Sequence, residues 1–199
     1  SDLLSQSHVS SSPALADVLE KLIRMEVVKK EAPINDANNK RKAGYIITDN
    51  LSLFYYRYAF RYSSQMNVMD SDVFYDRDDF EKQYVPRQFE EICRQYLIRQ
   101  NRAGKLPIPF DRIGKYYYDD PQTRTNGEFD IVTEDPNGYV FYEAKFRSEP
   151  LTESMIQQEI EQVRRTGMNC YRYAFISRSG FDAQADEGVE LISLEKLYE

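Results

Sequence analysis

Three residues of this 199-residue chain have the types and spacing for hydrolytic chemistry on a phosphate. Asp130 lies in the run Gly127-Glu128-Phe129-Asp130-Ile131-Val132, and Glu143 and Lys145 lie in Tyr139-Val140-Phe141-Tyr142-Glu143-Ala144-Lys145-Phe146. Between them Asp135-Pro136-Asn137-Gly138 is a turn sequence, with Pro second and Gly fourth. With those four residues as the loop, Glu134 pairs with Tyr139. Asp130 then lies opposite Glu143, with Cβ atoms roughly 5 Å apart. Glu143 and Lys145 share one face because side chains alternate along a strand, and Val140, Tyr142, Ala144 and Phe146 form a core face. A bulge in the turn would slip this register by one residue. Adjacent carboxylates repel unless a cation lies between them, and hard oxygen ligands suit Mg²⁺ or Mn²⁺. Such a cation polarises a phosphoryl oxygen and acidifies a water, while Lys145 orients the water or stabilises phosphate charge. The plain alternative is a hairpin with a charged exposed face.

The flanking elements must hold this hairpin. Residues 86–103 read as a helix with Pro86 at its first position and an apolar stripe of Phe89, Ile92, Cys93, Tyr96 and Leu97. At about 100° per residue, Glu90 falls beside Leu97 and Glu91 points away, so Glu90 is the carboxylate placed to reach the sheet. Residues 110–118 read as a strand and 119–126 as a polar loop. A helix over 151–167 follows the hairpin, then strands at 170–177 and 189–192 and a helical turn at 194–198. The sum is a mixed α/β domain with helices on its faces.

The N-terminal part differs. After a polar opening, Ser12-Pro13 starts a helix whose apolar positions Leu15, Val18, Leu19, Leu22 and Ile23 recur at helical spacing. Strands are expected over 27–34 and 42–48, separated by a polar turn at 35–41. A helix followed by a two-stranded ribbon is the second half of a winged helix-turn-helix, with Lys40-Arg41-Lys42 as its wing. The groove-facing start offers Ser11, Ser12, Ala14 and Asp17 without Arg or Lys, so sequence-specific reading is not favoured and a small packing domain is the alternative. An aromatic helix is expected over 49–64. Its rings, with Arg57 and Arg61, suit either interdomain core or base stacking, and core is the stronger expectation. The implied organisation is a winged-helix-like domain at 1–65, a linker at 66–85 and an α/β domain at 86–199.

Composition excludes several functions. His8 is the only histidine, which removes His-based zinc sites and Ser-His-Asp catalysis. No apolar run is long enough to span a membrane and no signal sequence opens the chain; the cysteine usage fits a reducing cytoplasm, the expected location. Two cysteines, Cys93 and Cys170, are expected as buried thiols rather than a disulfide. No Gly-rich phosphate loop of the Walker type is present, so this segment does not bind ATP that way. The net charge of −7 disfavours a strong non-specific grip on nucleic acid. The opening Ser1 suggests processing or an excised fragment.

These residues together resemble a known family. Ala14-Leu15-Ala16-Asp17-Val18-Leu19-Glu20-Lys21-Leu22-Ile23, followed by Val27-Val28-Lys29-Lys30-Glu31-Ala32-Pro33, resembles the winged-helix segment of archaeal-type P-loop ATPases. Tyr45-Ile46-Ile47-Thr48-Asp49-Asn50, leading to Phe54-Tyr55-Tyr56-Arg57-Tyr58, is similar to an aromatic passage of the same family. Gln88-Phe89-Glu90-Glu91, Glu128-Phe129-Asp130-Ile131-Val132 and Glu143-Ala144-Lys145 resemble the C-terminal domain of those ATPases, itself similar to PD-(D/E)xK nucleases. Tyr56 and Tyr117 stand where the family often has Trp. The resemblance implies a restriction-endonuclease-like mixed sheet flanked by helices, preceded by a partial winged-helix domain. It implies Asp130 and Glu143 as Mg²⁺ or Mn²⁺ ligands with the Ala144 carbonyl as a third, Lys145 as catalytic lysine, and Glu90 near metal or water. It also implies a Gln on the following helix, Gln158 or Gln162. DNA would be the substrate, and an ATPase module would lie upstream. A catalytically inert DNA- or protein-interaction module coupled to that ATPase is the alternative.

Overall fold

The computed structural model describes residues 2–7, 9–39, 42–70, 76–120 and 124–199. The chain divides into two units, Ser1–Ala32 with Asn39–Asp76, and Pro33–Asn38 with Arg77–Glu199. In the first unit, α1 (Asp2–Gln6) precedes α2 (Ser12–Arg24), whose N-cap Ser11 accepts a hydrogen bond from the Ala14 N–H. The antiparallel ribbon β1 (Val28–Glu31) and β2 (Gly44–Ile47) follows, with Val28 opposite Ile47. The first strand stops short of the expected residue 34 because Pro33 has no N–H for the ladder. Lys40 and Arg41 lie outside the described residues, and Lys42 is exposed.

Asp49 caps α3 (Asn50–Phe54), its carboxylate accepting from the Ser52 N–H at 2.8 Å. The expected continuous helix then becomes a π turn at Tyr55–Ala59 and a 3₁₀ turn at Phe60–Tyr62, where Tyr56 packs on Phe60 with ring centres 5.3 Å apart. Contrary to a core role for all these rings, Tyr56 and Phe60 are more than half exposed.

The second unit opens with α4 (Arg77–Asp79), a π turn at Phe80–Tyr84 and α5 (Val85–Arg102). The strands β3 (Arg112–Asp120), β4 (Thr125–Asp135) and β5 (Gly138–Lys145) come next. They are followed by β6 (Leu151–Thr152), α6 (Glu153–Arg165), β7 (Cys170–Ser177), β8 (Phe181–Asp182) and β9 (Val189–Ser193), and a 3₁₀ turn at Leu194–Tyr198 closes the unit. The five-stranded sheet has the order β3-β4-β5-β7-β9, antiparallel across β3, β4 and β5 and parallel across β5, β7 and β9. This is the expected mixed α/β architecture. The parallel step from β5 to β7 carries α6 as its crossover, which is why a helix must follow the hairpin.

Both faces of the sheet are covered. Phe89, Cys93 and Leu97 of α5 pack on Ile131, Val140, Tyr142 and Ala174. Ile156, Ile160 and Val163 of α6 pack on Phe129, Val132, Phe141 and Phe175. Ile92 is 52% exposed and does not belong to the α5 stripe. The buried line runs at four-residue spacing through Phe89, Cys93 and Leu97, and Ile92 is rotated about 100° from Cys93. The segment Pro33–Asn38 belongs to this unit: Ile34 enters the α6-side core, and the Asn35 side chain accepts from the Tyr117 N–H and donates to its carbonyl at 3.1 and 2.8 Å. Both cysteines are free, Cys93 buried and Cys170 partly so. Among the described residues no helix is long and apolar enough to cross a membrane.

Candidate active site

The β4–β5 turn forms as its residues dictate. The Asn137 N–H donates to Asp135 Oδ1 at 2.8 Å, and Gly138 takes φ 132°. A Cβ at Gly138 would lie 2.7 Å from the Asn169 carbonyl oxygen, so only glycine fits. Glu134 pairs with Tyr139, the register expected from the turn, and the last ladder pair is Ile131 with Tyr142. Asp130 and Glu143 lie one step beyond it. The bulge is not in the turn but against β3: Gly114 faces Val132 while Tyr116 faces Phe129, so β4 spends one extra residue there. Phe129 and Val132 therefore join the α6-side core and Ile131 the α5-side core. Asp130 sits inside this bulge, a feature that commonly re-aims a side chain.

Five carboxylates and two ammonium groups meet the hairpin here. Lys115 Nζ, on β3, lies 2.8 Å from Asp130 Oδ1 and 2.5 Å from Glu128 Oε1. Lys145 Nζ lies 2.6 Å from Glu143 Oε1 and 2.8 Å from Glu159 Oε1 on α6. Burial pushes the Glu90 carboxyl up to about 7, and the charges of Asp130 and Glu143 add to the rise while Lys115 and Arg87 oppose it. Glu143 is likewise raised to about 7, by burial first and then by Glu159 and Asp130, against Lys145. Burial disfavours the charge on Lys145, but Glu143 and Glu159 outweigh it and hold the ammonium at about 12. Lys115 is raised in the same way by Asp130 and Glu128.

A family of archaea bacterial proteins of unknown function, DUF234, matches residues 55–163, more than half of the chain. The chain belongs to the DUF234 family. It is also 32% identical over 104 residues to the uncharacterized protein MJECL04 of Methanocaldococcus jannaschii, covering 52% of this chain. The match spans only 24% of that relative's length. Among solved structures it is similar to AF1548, a protein of unknown function, at TM-score 0.36 and 12% identity over 51% of this chain and 58% of that one. Protein VC1899 from Vibrio cholerae gives TM-score 0.34 and 13% identity over 99% of this chain and 42% of that one. At these scores neither likeness defines the fold.

The DUF234 match takes in Glu90, Asp130, Glu143 and Lys145 together. Asp130 and Glu143 both act on Glu90, and Lys145 pairs with Glu143. Ala144 lies opposite Ile176 on β7 with its side chain in the α5-side core. Gln158 is exposed, and Gln162 donates to the Tyr118 hydroxyl at 2.6 Å, so neither contacts the acid cluster. Glu91 pairs with Arg94 at 2.8 Å. Sequence reasoning missed Lys115, Glu128 and Glu159. Glu159 had a signal: on a helical wheel it falls about 40° from Val163, the criterion that selected Glu90. Lys115 had none, because the bulge that sets its neighbours is not written in the alternation of β4.

The donors suit a hard divalent cation, since they are carboxylates whose mutual repulsion a dication would relieve. Among the described residues, no three His, Cys, Asp or Glu side chains are already gathered around one metal-sized point. The lysines instead hold the carboxylates. Ser177, opposite Lys145 on β7, has a fully buried hydroxyl without a hydrogen-bond partner among the described residues.

Proposed function

We propose that the second unit is a restriction-endonuclease-like domain that hydrolyses phosphodiester bonds of DNA with a divalent cation. The observation that carries this reading is the linked set Glu90, Asp130, Glu143 and Lys145: burial and the charge of Asp130 help push Glu90 and Glu143 up to about 7, and Lys145 lies 2.6 Å from Glu143. Asp130, Glu143 and the Ala144 carbonyl would hold Mg²⁺ or Mn²⁺, which supplies Lewis-acid polarisation of the phosphate. Lys145 donates to the attacking water or to a phosphoryl oxygen and stabilises the charge that builds there. Glu90, with a proton affinity matched to neutral pH, accepts the proton released as water oxygen bonds to phosphorus and the bond to the leaving sugar oxygen breaks. On this reading the first unit is a partial winged-helix domain, and the whole belongs to the C-terminal region of an ATPase whose nucleotide-binding module lies upstream.

Calorimetry with Mn²⁺ or Mg²⁺ on the intact chain, Asp130→Ala and Glu143→Ala tests the site. Binding by the intact chain and loss in both variants supports it, and nuclease assays with the upstream module present then follow. No binding at millimolar metal and neutral pH rejects the metal site. A second reading, an inert interaction module coupled to the ATPase, draws on the apolar surface of the first unit, where Leu51 is 75% and Val68 80% exposed. Metal-independent retention of DNA or partner protein, unchanged in Asp130→Ala, would favour it.

A further inference from the structure

Each lysine of the cluster bridges two acids, and the pairings have the same logic. Lys115 joins Asp130, an expected ligand, to Glu128, which is not one. Lys145 joins Glu143, an expected ligand, to Glu159, which is not one. A cation that binds Asp130 and Glu143 competes with an ammonium for each of them, since Lys115 Nζ lies 2.8 Å from Asp130 Oδ1 and Lys145 Nζ 2.6 Å from Glu143 Oε1. Expelling a partly buried ammonium without a partner is costly. In both cases a second carboxylate already touches the same nitrogen, so the lysine can leave the ligand and keep a counter-ion. Glu128 and Asp130 are two residues apart on β4, so both can reach the same Lys115 on β3. For Lys145 the spare acid comes from a different element, α6, next to Ile160 in the buried stripe, so the holding point is fixed by core packing.

We propose that Glu128 and Glu159 are positioning residues that hold Lys115 and Lys145 off the ligand carboxylates when a divalent cation binds. This rests on the metal-site reading above. Lys145 is then retained on Glu159, which keeps its ammonium at the edge of the site where it can meet a phosphate. Lys115, by contrast, is a competitor of the cation and contributes nothing to its coordination.

The test is Mn²⁺ calorimetry on the full chain and on the isosteric variants Glu128→Gln and Glu159→Gln, each also in a Lys115→Met or Lys145→Met background. Each single Gln variant is expected to weaken Mn²⁺ binding roughly two- to fivefold, the effect of a partly exposed ion pair. Lys115→Met alone is expected to tighten it by a similar factor. The decisive result is the coupling: Glu128→Gln should have no effect once Lys115 is Met, and Glu159→Gln none once Lys145 is Met. A Gln penalty that persists without the lysine would overturn the proposal by making that acid a direct ligand. Equal affinities in all the variants would overturn it while leaving the metal site intact. Absence of Mn²⁺ binding by the wild-type chain would overturn both. Circular dichroism of every variant separates misfolding from these outcomes, and if Lys115→Met unfolds, Lys115→Gln replaces it.

Discussion

The two ends of one hairpin treat carboxylates in opposite ways. At the turn end, Asp135 is nearly fully buried, and its oxygens are met by neutral donors, the Asn137 N–H at 2.8 Å and the Tyr171 hydroxyl at 2.5 Å. At the open end, Asp130 and Glu143 are met by ammonium groups and by other acids, and Glu143 and Glu90 are pushed up to about 7. The same two strands and the same cores support both ends. A carboxylate serving structure is given matched neutral donors, which fix it. A group of carboxylates crowded together and balanced by ammonium ions retains electrostatic strain that a ligand can relieve. Charged neighbours, rather than burial alone, set the open end apart from the turn end.

The largest test acts on what the ends share. Phe141 is fully buried between Phe129 and Phe175. Phe141→Ala should cost about 3–5 kcal/mol in chemical denaturation. Both ends should melt together. A loss well under 1 kcal/mol would mean that the hairpin is not anchored through this core.

The next separates the ends. Asp135→Ala leaves the Tyr171 hydroxyl and the Asn137 N–H without their partner and should cost about 1–3 kcal/mol, with Mn²⁺ affinity unchanged. A large change in metal affinity would erase the distinction between the two ends.

A third prediction concerns pH. Glu90 titrates near 4.5 in the unfolded chain and about 7 in the folded one, so the folded state keeps a proton that the unfolded state has lost. That contribution to stability is full below the unfolded value and is lost as pH rises to about 7. Glu90→Gln should therefore flatten the fall in stability between those values and be more stable than wild type at pH 7.5, by about 1–2 kcal/mol. Parallel curves for the two proteins, measured by urea denaturation from about pH 4 to about pH 8, would show that Glu90 is not raised.

Much of the hairpin was legible in the sequence because its signals are local. Pro136 and Gly138 fix the turn, and the turn fixes the register from Glu134 and Tyr139 up to Ile131 and Tyr142. Helical spacing placed α5, and wheel position alone drew Glu90 toward the sheet. What was not legible is non-local. The bulge at Asp130 arises from the pairing of β4 with β3, and the loop between those strands gave no account of it. Lys115 and Glu159 reach the cluster through β3 and α6, so their roles appear only once the strand order is known. The capture of Ile34 by the second unit is of the same kind, since a strand was the natural reading of its apolar neighbours.

The most direct test of the central claim is a carbon-13 NMR titration of the Glu90 and Glu143 carboxyls, with and without saturating Mg²⁺. The account predicts midpoints of about 7 without the ion and a marked fall for both on its addition. Midpoints near the ordinary 4.5, unmoved by Mg²⁺, would contradict it and make the open end of the hairpin no more than a charged edge.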